Sequence, residues 1–331
     1  METYSFINKA RESLEGKNVR RLAAIHAGVT VAFGLVLTVL QYFLTEGIGN
    51  TSGLSGLGTR SLLETMQTVL QWANMLLLPF WNLGFLYVAL RWIRGKNPQP
   101  RDLLAGFRRV GPCLGLIVHR VLLAMCIVIL MANLSSVVYM MMPASEWLRE
   151  LSMEFSTVEE LTTYLYSLDG EQILVMFRKM LPMVLLSLAL ILAVLIPMLY
   201  RLRMAEFVIL SYPGLRGLPA LLVSGALMRR RCWQLFKLDL RLWWYHGLKL
   251  LCVVILYGEL LLGMVGIVVT GQMVFLVEYL VYLAGIFAVE TLFRPLAESA
   301  YAAFYEKLVE LGPIPGKRTF PMPQQMPLDE E

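Results

Sequence analysis

Long apolar runs contain polar side chains that could do chemistry needing a low dielectric. The four candidates are Glu259, Glu290, Asn74 and Asn82. Glu259 is the best of them, well inside the run at 250–270. Because an ionised carboxylate at that depth is costly, we expect it to be protonated, paired or turned to a hydrated cavity. It is either part of a proton or cation relay or a neutral acid hydrogen-bonded between helices, and we favour the second.

The other three residues suggest contacts between helices more than a conducting path. Glu290 and Arg294 are four residues apart, a spacing that predicts an ion pair on one helix face. The amides of Asn74 and Asn82 can hydrogen-bond to neighbouring helices, and coordination of a substrate is the less favoured role.

Patterns for soluble-type catalysis and for metal binding are missing from the sequence. Its three histidines, at 26, 119 and 246, form no i,i+4 pair and no zincin motif. There is no Gly-x-Ser-x-Gly nucleophile elbow and no Gly-Lys-Ser/Thr phosphate loop. The four cysteines lack Cys-x-x-Cys spacing, so we expect no disulfide framework. We therefore expect no enzyme activity, no metal ion and no cofactor.

The composition is that of a membrane protein. Hydrophobic residues make up 57% of the chain and charged residues 16%, with a mean hydropathy of +0.63. The apolar residues gather in runs of about 20, enough to cross a bilayer core of about 30 Å. We predict an all-α, multi-pass transmembrane bundle with six spans. The spans are expected at about 22–44, 65–90, 116–141, 181–200, 250–270 and 274–293.

Charges between the spans predict the topology. Segments next to the basic residues at 17–21, 91–109 and 201–249 belong in the cytoplasm, because cytoplasmic loops are rich in Lys and Arg. The net charge of +5 is thus gathered beside apolar runs, which favours lipid headgroups over nucleic acid. The segment 143–179 has seven acidic and three basic residues and is expected outside.

Local patterns assign structure to the connecting segments. The external segment 143–179 should form two short amphipathic helices, one of them starting at a capping box, Ser156 to Glu159. The Gly/Ser/Thr-rich segment 45–61 should be a flexible external loop. Cytoplasmic helices are expected at 1–18, at 102–107 on the membrane surface, and at 295–311, where the helix should be amphipathic. Residues 312–331 are expected to form a disordered Pro-rich tail. The six-span membrane domain thus covers 19–311.

The basic stretch from Tyr212 to Lys249 is the most distinctive part of the chain. The loop 201–249, to which it belongs, has nine cations against two acids. As a helix, the stretch places Arg230, Gln234, Lys237 and Arg241 on one face and Trp233, Phe236, Leu240 and Trp243 or Trp244 on another. This pattern is typical of a helix on an anionic membrane surface. The candidates for lipid or partner binding are Arg229, Arg230, Arg231, Lys237, Arg241, Trp243 and Trp244.

Three segments in order along the chain carry a resemblance to a known family. They are Ile7 to Gly16, Ala220 to Leu240, and Pro295 to Leu308. Together they resemble an uncharacterised family of Gram-positive bacterial integral membrane proteins, the domain of unknown function numbered 975. The family usually has Gly where this chain has Arg230, Ser-Phe-Ile-Gly-Trp at 241–245, and Tyr at position 296. The resemblance implies a bacterial plasma-membrane protein and no established activity.

Two functions follow as hypotheses. The first is a non-enzymatic membrane-organising, envelope-maintenance or complex-assembly scaffold that binds anionic lipid headgroups through basic interfacial helices. Its protein partner is either another membrane protein or a second copy of the chain, and no nucleic acid is expected. The alternative is a small transporter or channel that uses Glu259, since spans interrupted by proline are common at transport sites.

Overall fold

The computed structural model describes residues 3–15, 18–50, 57–142, 145–147, 164, 167, 169–212, 214–256 and 272–312. Within these ranges the secondary structure is helical. The main helices are α1 (Thr3–Leu14), α2 (Val19–Asn50), α3 (Leu57–Ile93), a 3-10 helix (Pro100–Leu104), α4 (Ala105–Arg108), α5 (Val110–Met140), α6 (Gly170–Leu202), α7 (Ala205–Ser211), α8 (Gly217–Leu227), α9 (Cys232–Arg241), α10 (Trp243–Leu256), α11 (Gln272–Leu292) and α12 (Arg294–Leu311).

Four described helical segments are long and apolar enough to cross a membrane: Val19–Thr45, Arg60–Ile93, Val110–Met140 and Val175–Ser211. A fifth is possible if Glu278–Leu292 and Arg294–Leu311, which meet at a bend of 45°, count as one span. The expectation of an all-helical protein with several spanning helices is therefore confirmed. The span predicted at 250–270 is described only as far as Leu256, within α10.

The connections are shorter than the composition suggested. The segment 45–61 was expected to be a flexible loop, which is wrong for its two ends, since α2 runs to Asn50 and α3 begins at Leu57. Residues 170–179 belong to α6, whose capping box pairs Asp169 with Gln172. Starting a helix is costly, whereas adding residues to an existing helix is not, so these helices can extend past their apolar runs. The capping box predicted at 156–159 lies outside the described residues.

The chain divides into two compact units, Met1–Leu116 with Met204–Glu331, and Ile117–Arg203. In the second unit, α5 and α6 are joined by hydroxyl contacts. The Ser135 and Ser187 Oγ atoms are 2.5 Å apart, and the Tyr139 hydroxyl donates to the Lys179 carbonyl over 3.2 Å. Most of the apolar side chains on these two helices are exposed, as expected of lipid-facing helices.

In the first unit, α12 is the central helix. Eleven of its eighteen residues are buried, and it packs against α1, α2, α3 and α11. The helix expected at 295–311 is present, but it is buried on most sides and not simply amphipathic. The helix has alanines and serines on several faces, so neighbouring helices approach it from more than one side. Phe304 meets Phe6 of α1 edge to face at 5.4 Å, and Tyr305 stacks on Phe207 of α7 at 5.5 Å.

The segment 100–108 lies against α3 and not on the surface. Asp102, Leu103, Ala105 and Gly106 are buried, which corrects the prediction of a surface helix at 102–107. A Cβ atom on Gly84 would lie 1.7 Å from the Leu103 carbonyl oxygen. The Asp102 carboxylate also accepts a hydrogen bond from Arg91 over 2.9 Å. Contact between backbones thus fixes this segment on α3.

We call the packed helices of the first unit the helical cap: α1, the 3-10 helix, α4, α7, α8, α9 and α12, with the end of α3 from Phe80 onward. The helices that leave the cap change from buried to exposed along their length. On α3, residues 83–90 are all buried, whereas Trp72 and Met75 are exposed. On α2, His26 and Ala27 are buried and Val29 is exposed. Apolar residues on the exposed parts of these helices are therefore available to lipid.

Arg230 stands in the turn between α8 and α9 with a φ of 61°. An L residue with a side chain is strained in this left-handed region, whereas glycine is not. We expect Arg230→Gly to stabilise the fold by about 1 kcal/mol, raising the midpoint of thermal unfolding in detergent. The control is Arg229→Gly in the same turn, which should lower that midpoint because Arg229 has no positive φ to relieve. Equal shifts of the two midpoints would contradict the strain at Arg230.

Candidate functional site

A buried polar cluster lies where the spans meet the helical cap. Its centre is Arg294, the first residue of α12, whose Nη1 is 2.7 Å from Glu290 Oε2 of α11. Arg294 Nη2 donates to Asn82 Oδ1 of α3 over 2.9 Å. Lys249 Nζ of α10 lies 2.5 Å from the other Glu290 oxygen. These residues and His26 of α2 form what we call the Arg294 cluster.

The geometry fixes the role of His26 in the cluster. Arg294 Nη1 is 3.3 Å from His26 Nδ1, and a guanidinium can only donate. Nδ1 is therefore the acceptor, and the neutral ring carries its proton on Nε2. The imidazole stacks on Trp81 at 5.0 Å, and Arg294 lies over the Phe85 ring at 4.8 Å. Aromatic rings thus enclose the polar groups.

The cluster joins α2, α3, α10, α11 and α12 at one level. Two cations, Arg294 and Lys249, face two carboxylates, Glu290 and Glu298, the latter at 3.8 Å from Arg294. Balanced charges are what a buried ionic group requires. The predicted Glu290–Arg294 ion pair is confirmed, and so is the interhelical role of Asn82. The arrangement holds the described parts of these helices together.

Sequence reasoning missed two members of this cluster. His26 and Lys249 each lie near an end of an apolar run, where they resemble ordinary interfacial residues. His26 lies four positions after the start of the run at 22–44, and Lys249 directly precedes the run at 250–270, so neither position signals a buried partner. The remaining polar candidates are separate: Asn74 is exposed on α3, and Glu259 lies outside the described residues.

The aromatic face predicted on α9 is exposed. Trp233 is 63% exposed, Leu240 60% and Trp243 67%, with Phe236 also exposed. Trp233 and Phe236 stack at 5.0 Å, and Lys237 Nζ lies 5.9 Å from the Trp233 ring. On the opposite side of α9, Leu235 and Leu238 are completely buried. We call Trp233, Phe236, Leu240 and Trp243 the aromatic row.

The cationic face predicted beside this row is divided between two roles. Arg241 lies over the Tyr4 ring at 3.8 Å and so holds α1 on the cap. Gln234 is half-buried, whereas Lys237 and Arg230 are exposed. The expectation of one continuous cationic stripe is therefore wrong, because part of it packs against the N-terminal helix.

The remaining candidates of the basic stretch are of two kinds, those that contact the cap and those that are exposed. Arg231 Nη1 donates to the Gly312 carbonyl at the end of α12 over 3.0 Å, and partial burial lowers the pKa of its guanidinium. Trp244 packs edge to face on Phe293 at 4.9 Å. Arg229 is exposed. Of the seven predicted contact residues, Arg229, Arg230, Lys237 and Trp243 are exposed for binding.

A second polar chain ties α9 and α10 to α12. The Tyr301 hydroxyl donates to Asp239 Oδ1 over 2.6 Å and lies 3.0 Å from His246 Nε2. Because the hydroxyl proton goes to Asp239, His246 Nε2 is the donor to the Tyr301 oxygen. No local pattern predicts this contact, since Tyr301 is about 60 residues from Asp239 and His246. The tie fixes the orientation of α9, and hence the side on which the aromatic row lies.

The chain matches no family model, no curated protein and no solved structure. Function is therefore argued from the geometry of the cap, the Arg294 cluster and the aromatic row.

Proposed function

We propose that the protein is a non-enzymatic membrane scaffold whose helical cap docks on lipid headgroups through α9. The observation that carries the proposal is the exposed aromatic row beside exposed cations. Amphipathic aromatic residues favour the headgroup region, and each cation near an anionic surface contributes about 1 kcal/mol. A surface of this kind suits membrane organisation, envelope maintenance or the assembly of a complex.

The placement of α9 in the chain supports docking. Trp243 is the last residue of the aromatic row and the first residue of α10. Further along α10, Leu250, Leu251 and Val254 are exposed, as on a helix that enters lipid. The aromatic row therefore adjoins the point at which α10 would leave the surface for the membrane core.

The rest of the proposal concerns how the chain crosses the membrane. We propose six spans with both termini in the cytoplasm of a bacterium, supported by the basic residues that flank the helix ends. The helical cap then lies on the cytoplasmic side. Membership of the domain 975 family is part of the same proposal, and it rests on the three sequence segments that resemble that family.

A transporter or channel is the less favoured function. Of its four intramembrane polar candidates, Asn82 and Glu290 are bound to Arg294. The remaining support for transport among the described residues is the proline inside two long helices, at Pro79 of α3 and at Pro182 and Pro197 of α6, through which both helices continue. A flux that is lost with Glu259→Gln, measured in proteoliposomes, would favour transport over the scaffold.

The docking proposal predicts contact between the aromatic row and lipid. In nanodiscs made with acyl-brominated phosphatidylglycerol, tryptophan fluorescence should be quenched by nearby bromine. We expect replacement of Trp233 and Trp243 by Phe to lower the quenched fraction, because two lipid-contacting indoles are removed. The measurement is the ratio of emission in brominated and unbrominated discs.

The matched control is Trp92→Phe, since Trp92 is fully buried in the cap. Its removal should raise the quenched fraction, because it takes away fluorescence that bromine does not reach. A quenched fraction that is unchanged or raised in the Trp233→Phe, Trp243→Phe variant would refute docking through α9. Replacing the charged lipid by phosphatidylcholine should weaken the effect if the cations contribute.

A further inference from the structure

An apolar cavity of about 290 Å³ lies between α2, α3 and α4 in the first unit. Val29 and Phe33 line it from α2, Leu77 and Trp81 from α3, and Phe107 from α4. Thr30 is the one hydroxyl residue in the wall. Its Oγ donates to the His26 carbonyl and accepts from the Trp81 indole, at 2.9 and 3.1 Å. The cavity lining is therefore apolar and suits an apolar ligand group.

The cavity lies next to the Arg294 cluster, on the side of the exposed spans. Val29 follows His26 by less than one helical turn, and Trp81 directly precedes Asn82. Val29 is 45% exposed and Leu77 is 40% exposed, so the cavity opens on the apolar surface of α2 and α3. In a membrane crossed by α2 and α3, this mouth would face acyl chains.

Cations lie at the polar end of the same helices. Arg108 directly follows Phe107 in the chain and is exposed. Arg21 is exposed two turns before Val29 on α2, about 12 Å away along the helix axis. A phosphate above the mouth would meet these charges, whereas a purely apolar ligand would leave them unused.

We propose that this cavity binds one acyl chain of an anionic phospholipid, with the phosphate facing Arg108 and Arg21. The volume is at the lower end of ligand pockets, which run from about 300 to 1,000 Å³. It accepts a flexible chain segment and excludes another helix, whose diameter is about 10 Å. The site is separate from the aromatic row, and it requires only that α2 and α3 lie in the membrane.

The test is photo-crosslinking with a phosphatidylglycerol that carries a diazirine in its acyl chain, on the full chain in nanodiscs. Labelled peptides are identified by mass spectrometry. We expect labels on the α2, α3 and α4 peptides that line the cavity. Val29→Phe should reduce this labelling about tenfold by filling the cavity, and so should Leu77→Trp from the other wall.

Val36→Phe is the matched control for the cavity. Val36 is on the same face of α2 two turns further along and is 52% exposed, and it does not line the cavity. Its labelling should equal that of the unchanged chain. Equal losses in Val29→Phe and Val36→Phe, or labels absent from the cavity peptides, would overturn the proposal. Labelling of α9 in the same samples reports on docking independently, and a monodisperse peak in size-exclusion chromatography shows that the variants are folded.

The headgroup is tested with the same photoreactive chain on phosphatidylcholine. We expect cavity labelling to be about fivefold lower with this lipid, and Arg108→Gln should bring the phosphatidylglycerol labelling down toward that level. Arg60→Gln, which changes an exposed cation of α3 outside both the cavity and the aromatic row, should leave cavity labelling unchanged. Equal labelling by the two lipids in the unchanged chain would overturn the assignment to an anionic phospholipid.

Discussion

Replacing Arg294 by Gln is expected to destabilise the protein by about 3–5 kcal/mol, because it leaves Glu290 as a buried carboxylate with half of its partners. The side chains of Arg294 and Glu290 are 9% and 8% exposed, so water cannot replace the lost ion pair. Loss of the guanidinium also removes the hydrogen bonds to Asn82 and His26. The measurement is the midpoint of thermal unfolding in detergent, followed by size-exclusion chromatography.

The control is an ion pair of the same type and spacing on a helix surface. Arg60 and Glu64 of α3 are also four residues apart, at 3.0 Å, but both are more than half exposed. Arg60→Gln should therefore change the stability by no more than about 0.5 kcal/mol. The double variant Arg294→Gln, Glu290→Gln should lose less than the sum of the two single changes. Comparable effects of Arg294→Gln and Arg60→Gln would contradict the structural role of the cluster.

Gly84→Ala should destabilise the protein at least as much as Arg294→Gln, for a steric reason. The new methyl group would lie 1.7 Å from the Leu103 carbonyl oxygen, which is backbone and cannot rotate away. Either α3 or the segment 100–108 must shift, and we expect a loss of several kcal/mol or a failure to fold. The yield of monodisperse protein and its unfolding midpoint measure the effect.

Gly34→Ala on α2 is the matched control for Gly84→Ala. It is also inside a long helix, but a Cβ there meets nothing within 4 Å. Alanine is the better helix former, so this change should be neutral or should stabilise by up to about 1 kcal/mol. If both alanine variants behave alike, the close approach of 100–108 to α3 is not present in the protein.

The sequence predicted features that depend on local patterns. Long apolar runs gave the spanning helices, and the three-four-three spacing of Trp233, Phe236, Leu240 and Trp243 gave the exposed face of α9. Both follow from the helical repeat and need no knowledge of distant contacts. The i,i+4 ion pair of Glu290 and Arg294 was predictable on the same ground.

Features that depend on distant contacts were not predictable. The basic stretch contains both exposed and half-buried arginines, and only the position of Tyr4 shows that Arg241 packs against α1. In α12, Tyr301 resembles a surface residue until its hydroxyl is seen to donate to Asp239. The helix appeared amphipathic because its buried polar groups find partners on other helices. No local pattern gives those partners.

The central claim is that the aromatic row of α9 lies at the level of the lipid headgroups. The most direct test is to place bromine at different depths along the acyl chain and to measure the quenching of Trp233 and Trp243. Their emission is obtained by subtracting the fluorescence of the Trp233→Phe, Trp243→Phe variant from that of the unchanged chain. Docking predicts that bromine near the headgroup end of the acyl chain quenches this difference signal more than bromine near the methyl end. Equal quenching at both depths, or stronger quenching at the methyl end, would contradict it.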